Sequence, residues 1–249
     1  MKRIISKVGL VCLIVSSLFV MVSCSTSKKA ATHRADASIA TKAPDYKRIK
    51  KEINSKGSEF YYPELLRRFQ AADTTLSLEQ VRHFYYGAAT RSDYDPYNPG
   101  RERELNNALS GDTLSIEDWR KAAEIIEQQL TATPTLFRFL LYKHVVYENL
   151  YGTNSQEAIG AFFQVAMILS AITSTGDGLS EISAFYLTST SDEYGMMEIL
   201  GVSPKSQSLV EKHGQFYDVI DLEENEYGLE SMYFNITVCL EALHKSFGF

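Results

Sequence analysis

The feature that most constrains this chain is a change of hydrophobic period near residue 179. Upstream, apolar residues recur at helical spacing: Leu65, Leu66 and Phe69, then Val81, Phe84 and Tyr85, then Leu136, Leu140 and Tyr147. Downstream, Gln215 to Leu222 and Leu229 to Val238 alternate apolar with polar residues around the loop Glu223 to Gly228, as a β-hairpin does. Helical segments followed by alternating ones predict an α+β, predominantly helical fold. We expect antiparallel helical hairpins over 58–178, followed by a small antiparallel sheet with helices over 179–249, packed as two halves.

Local signals place the elements. Lys47 to Ile53 reads as a first short helix, and Pro63 suits the start of a second through Leu65 and Phe69. Ser77 with Gln80 forms a capping box, and Ser115 with Asp118 repeats it 38 residues later. Leu105 to Leu109 echoes Leu65 to Phe69, so one helix–turn–helix phrase is used twice, with Ala122, Ile126 and Pro134 at tetratricopeptide-like positions. Ordinary antiparallel helices with coincidental caps would look the same. Thr133 and Pro134 suit the start of a helix to Tyr151, and Asn154 with Glu157 caps a nearly all-apolar core helix to Ile172. Glu181 to Thr190 reads as a strand, Thr190 with Glu193 caps a helix stopped at Gly201, and Val238 to Phe247 is a closing amphipathic helix.

The first 57 residues lie outside this pattern. Lys2, Arg3 and Lys7 precede an apolar run from Val8 to Val22, short for a membrane span, and Ser23 stands directly before Cys24. That layout resembles the lipobox of bacterial lipoproteins, which implies a signal peptide over 1–23 and a lipid on Cys24; a plain signal peptide is the alternative. Residues 24–57 then form a flexible tether, with nine Lys/Arg against three Asp/Glu between 25 and 57. A basic tether beside a lipid suits anionic headgroups. Lipoproteins exported to the cell surface usually carry acidic residues just after the cysteine, and Ser25 to Lys29 holds none, so the lipoprotein resemblance implies an outer-membrane anchor facing the periplasm.

Charge and chemistry narrow the function. From Ser58 onward 28 acidic residues face 13 basic ones, which argues against nucleic acid. With Cys12 in the signal and Cys24 lipidated, Cys239 is the remaining thiol, a buried apolar residue with no disulfide partner. There is no HExxH, GxSxG, P-loop, CxxC or dinucleotide fingerprint, so no catalytic residue, metal or cofactor is assigned. His144 and Glu148 stand one turn apart and read as an ion pair rather than half a metal site. Asp93 to Gly100 begins like a calcium loop, but its spacing is wrong and a proline-rich turn fits better.

The strongest candidate surface is the pair Tyr85 and Tyr86 with the connector Thr90 to Arg103. Tyr94 and Tyr97 offer stacking there, and Asp95, Asn98 and Arg101 offer hydrogen bonds. The competing reading has the tyrosines pinning the connector to the core. Asp192 and Glu193 suit a helix N-terminus and are explained by its dipole.

Several phrases together resemble an uncharacterised family of Bacteroidetes lipoproteins, domain of unknown function 4919. They are Tyr62-Pro63, Asp73 to Leu76, Arg82-His83, Tyr85 to Gly87, Asp192 to Tyr194, Leu200-Gly201, Tyr217-Asp218 and Tyr233-Phe234. The likeness runs from about Tyr61 to the end and implies compartment and fold, with no activity to carry over. The expected function is a non-enzymatic scaffold of the cell envelope that binds a protein or peptide. A glycan or small-molecule binding module and a hydrolase built from distant carboxylates are the other readings.

Overall fold

The computed structural model describes residues 42–97 and 100–246, so the signal segment, Cys24 and Asn98 lie outside the described residues. Within them the chain is α+β and mostly helical. Seven helices come first: α1 (Tyr46–Ile53), α2 (Tyr62–Gln70), α3 (Leu78–Ala88), α4 (Glu102–Ala108), α5 (Ile116–Ala132), α6 (Phe137–Tyr151) and α7 (Gln156–Thr173). Then follow β1 (Phe185–Tyr186), α8 (Ser191–Leu200), β2 (Pro204–Lys212), β3 (Gln215–Leu222), β4 (Ser231–Asn235) and α9 (Thr237–Ser246).

Both capping boxes form. The Ser77 hydroxyl accepts from the Gln80 N–H at 3.2 Å while Gln80 returns a bond to the Ser77 N–H, and Ser115 with Asp118 does the same. The core gathers around α3, whose Phe84 stacks obliquely on Phe69 and Tyr62, and around the antiparallel pair α6 and α7. By length and composition α7 is apolar enough to cross a membrane, but here it packs on α3 and α6. Its polar interruption has a use: Gln164 Nε2 donates to the Phe69 carbonyl at 3.1 Å, where α2 ends.

Three expected helix starts are corrected. Thr133 closes α5, its N–H on the Gln129 carbonyl at 2.8 Å, and α6 begins only at Phe137, after an apolar Leu136 that makes no side-chain cap. The α7 cap is Ser155 rather than Asn154, accepting from the Ala158 N–H at 3.1 Å. Thr190 precedes α8 without capping it, whereas Gly201 ends that helix in the left-handed region (φ 68°) as expected.

The sheet runs β1-β4-β3-β2, with β2–β3 and β3–β4 antiparallel and β1 parallel to β4. The strand expected over Glu181 to Thr190 shrinks to two residues. Tyrosine hydroxyls take over its backbone beyond Leu187: Thr188 N–H donates to Tyr85 Oη at 3.3 Å, and Thr188 C=O accepts from Tyr94 at 2.8 Å. Strand β2 has no counterpart in the hydrophobic pattern of the sequence. It carries no inward apolar row, because nearly all of it faces water. Its turn, His213-Gly214 with φ of 53° and 72°, is a two-residue hairpin turn whose paired positive φ values match the twist of the strands.

Candidate acidic cavity at the start of α8

Two neighbouring carboxylates at the start of α8, Asp192 and Glu193, are both 0% exposed. They serve different partners. Asp192 reaches back into the helices, where its Oδ1 accepts from the Phe137 N–H at 2.8 Å and its Oδ2 from the Tyr85 hydroxyl at 2.9 Å. It supplies the cap that Leu136 cannot give α6. Burial pushes its carboxyl up to about 7, against the lowering effect of those donors.

Glu193 turns toward the sheet. In β3 the inward row is Phe216, Asp218, Ile220 and Leu222, so an acid occupies one core-facing position opposite Leu209 and Phe234. Asp218, 7% exposed, borders the same cavity as the Glu193 carboxyl. Gln207 Nε2 donates to Asp218 Oδ2 at 2.8 Å and approaches Glu193 Oε2 at 3.5 Å. No donor reaches Glu193 Oε1. Burial, and then the charge of Asp218, push the Glu193 carboxyl up to about 10, so it is neutral at pH 7. These residues line a cavity of about 260 Å³ with Tyr97, Tyr194 and Leu209.

A second cavity of about 240 Å³ opens on the other side of the same helix start, lined by Arg91, Tyr94, Asp95, Thr133, Ser189 and Asp192. The connector therefore contributes to both. Tyr94 and Asp95 border the Asp192 side, and Tyr97 borders the Glu193 side. The other expected site residues go elsewhere. Tyr85 and Tyr86 are fully buried, with Tyr86 donating to the Ala171 carbonyl at 3.1 Å, so neither presents its ring to solvent. The exposed Arg101 side chain pairs with Glu104 at 2.8 Å and lines neither cavity.

Cys239 is buried, with its Sγ 3.5 Å from Tyr94 Oη, and burial pushes its thiol up to about 12, which suits packing rather than nucleophilic work. His144 faces Glu148 at 3.8 Å and the Ala158 carbonyl at 3.3 Å. Among the described residues no three His, Cys, Asp or Glu side chains converge as a metal-binding group. Reading the sequence missed Asp218 and the burial of Asp192 and Glu193. The available signal was an acid in the inward row of β3.

The class is thus a mostly helical α+β domain with an acidic cavity where a helix start meets a sheet edge. Residues 47–245 match the family described as Domain of unknown function (DUF4919), and the chain belongs to that family. Neither the curated proteins nor the solved structures contain a match.

Proposed function

We propose that this protein is a non-enzymatic binding module of the bacterial cell envelope, held at the periplasmic face of the outer membrane by a lipid on Cys24. The observation that carries the binding half is Glu193: a fully buried carboxyl whose Oε1 has no donor, facing a cavity shared with Asp218. A buried polar atom left without a partner costs about 1–3 kcal/mol, and such a group points to a site completed by something else. The apolar run Val8 to Val22, Cys24 and the basic tether support the anchor, and the helical hairpins serve as the rigid scaffold.

A second reading, a hydrolase, draws on the same two carboxyls, since a pair sharing one proton can act as acid and base. Asp218→Asn would then abolish turnover.

Thermal denaturation of the intact protein against a panel of amines, sugars and short peptides tests the binding reading. A compound that raises the Tm of the wild type is expected to lose its effect in Glu193→Gln and in Leu209→Trp, which fills the mouth at a position 56% exposed. Stabilisation that persists in both variants would place the site elsewhere. Labelling with a palmitate analogue in the host is expected to mark the wild type and to spare Cys24→Ala; label on both would contradict the anchor.

A further inference from the structure

We propose that the occupant of the Glu193–Asp218 cavity is the alkylammonium of a lysine side chain, carried by an extended peptide segment that adds as a strand to the free edge of β2. The inference rests on this cavity being the binding site and specifies what enters it. Strand β2 is the outermost strand, nine residues long, and among the described residues nothing pairs with its outer edge. Edges of this length are usually blunted by charge, proline or a bulge. Here Pro204, Lys205, Glu211 and Lys212 and the irregularity near Pro204 occupy the ends, which leaves Ser206 to Val210 uncharged. Strand addition to such an edge is an established mode of peptide capture, with backbone bonds giving affinity and side-chain pockets giving selectivity.

The pocket lies where an added strand would use it. Gln207 and Leu209 sit two residues apart on β2, so they share the sheet face that bears Asp218, and both line the cavity. A side chain of an added strand on that face stands about 5 Å from its cross-strand neighbour. From β2 itself the Gln207 amide already reaches Asp218 at 2.8 Å and Glu193 at 3.5 Å. A lysine on the added strand is longer than glutamine and approaches the same two carboxyls from across Gln207 or Leu209.

The chemistry selects an ammonium. Once Glu193 is ionised the site is rich in acceptors, Glu193 Oε1, the Asp218 carboxyl and the Tyr97 hydroxyl, and its one amide donor, Gln207, is already engaged by Asp218. An ammonium brings three donors and a charge, and Leu209 and Leu240 flank its apolar stem. A calcium ion needs six to eight oxygens, more than two carboxyls and one amide provide. The excess of 28 acidic over 13 basic residues from Ser58 onward steers a basic segment toward this domain. Protons balance simply: the neutral Glu193 carboxyl gives up its proton to solvent as the ammonium arrives, and the ionised carboxylate pairs with it.

Isothermal titration calorimetry on the intact protein decides the matter. The probes are a short blocked peptide of alternating threonine and valine with a central lysine, the same peptide with norleucine, the lysine peptide N-methylated at alternate backbone nitrogens, and pentane-1,5-diamine. The lysine peptide is expected to bind at pH 7 with about one proton released, seen by comparing buffers of different ionisation enthalpy. Norleucine, N-methylation and Glu193→Gln should each weaken it by about tenfold or more. Equal binding of the norleucine peptide, or unchanged binding by Glu193→Gln, would overturn the proposal. Binding of the diamine together with the N-methylated peptide would leave an amine pocket and remove the strand. If no probe binds, the proposal falls; the broader binding function then stands only if another compound of the panel still depends on Glu193 and Leu209.

Discussion

At the scale of the residue, adjacent side chains at the start of α8 divide the labour. Asp192 satisfies N–H and O–H groups of the helices, whereas Glu193 is left with an acceptor for a neighbour. Both carboxyls hold their protons more tightly folded than unfolded, so the native state binds more protons and stability falls as pH rises. For Asp192 the loss runs from the ordinary carboxylate range up to about 7, and for Glu193 up to about 10. Each contributes a slope of about 1.4 kcal/mol per pH unit within its window. Between pH 7 and pH 9, below the ordinary range of the buried Cys239 thiol, the slope belongs to Glu193. Urea unfolding across this range is expected to show wild-type stability declining and Glu193→Gln staying nearly flat. Parallel curves would mean that Glu193 is ionised as an ordinary surface acid. Sequence could place Glu193 at a helix start, where the dipole already explains an acid. It could not show that β3 would lay Asp218 against it, because that contact depends on the register of the sheet.

At the scale of the element, what was legible was what is local. The capping boxes at Ser77 and Ser115 depend on partners three residues away, and both form as read. Replacing either serine by alanine is expected to cost about 1 kcal/mol in chemical denaturation. The two losses should add, since the boxes cap different helices. Non-additivity beyond about 0.5 kcal/mol would show the two starts to be coupled. Elements set by distant partners were misread. The start of α6 depends on Asp192, 55 residues from Phe137, so the proline at 134 misplaced it. The strand from Glu181 was cut short by hydroxyls of Tyr85 and Tyr94 in the helical half. Strand β2 has water on most of its surface and therefore shows no hydrophobic period in the sequence. Among the connector residues, Tyr94, Asp95 and Tyr97 do border cavities, while Tyr85 and Tyr86 lie beneath them as buried structure.

At the scale of the whole molecule, α8 ties the helices to the sheet through consecutive residues, Asp192 to Phe137 and Tyr85 on one side, Glu193 to β3 on the other. The wild type is expected to unfold in one transition, with fluorescence of Trp119 on α5 and far-ultraviolet circular dichroism coinciding. Asp192→Ala strands two donors and should both destabilise by about 2–4 kcal/mol and separate the two probes. Coincident probes in that variant would show that other contacts carry the coupling.

The most direct test of the acidic cavity as a binding site is a carbon-13 titration of the Glu193 carboxyl, with and without the lysine peptide. The account predicts a neutral carboxyl up to about pH 10 in the free protein, and an ionised one at pH 7 once the peptide saturates it. A free-protein titration near 4.5, or a carboxyl that stays neutral in the saturated complex, would contradict it.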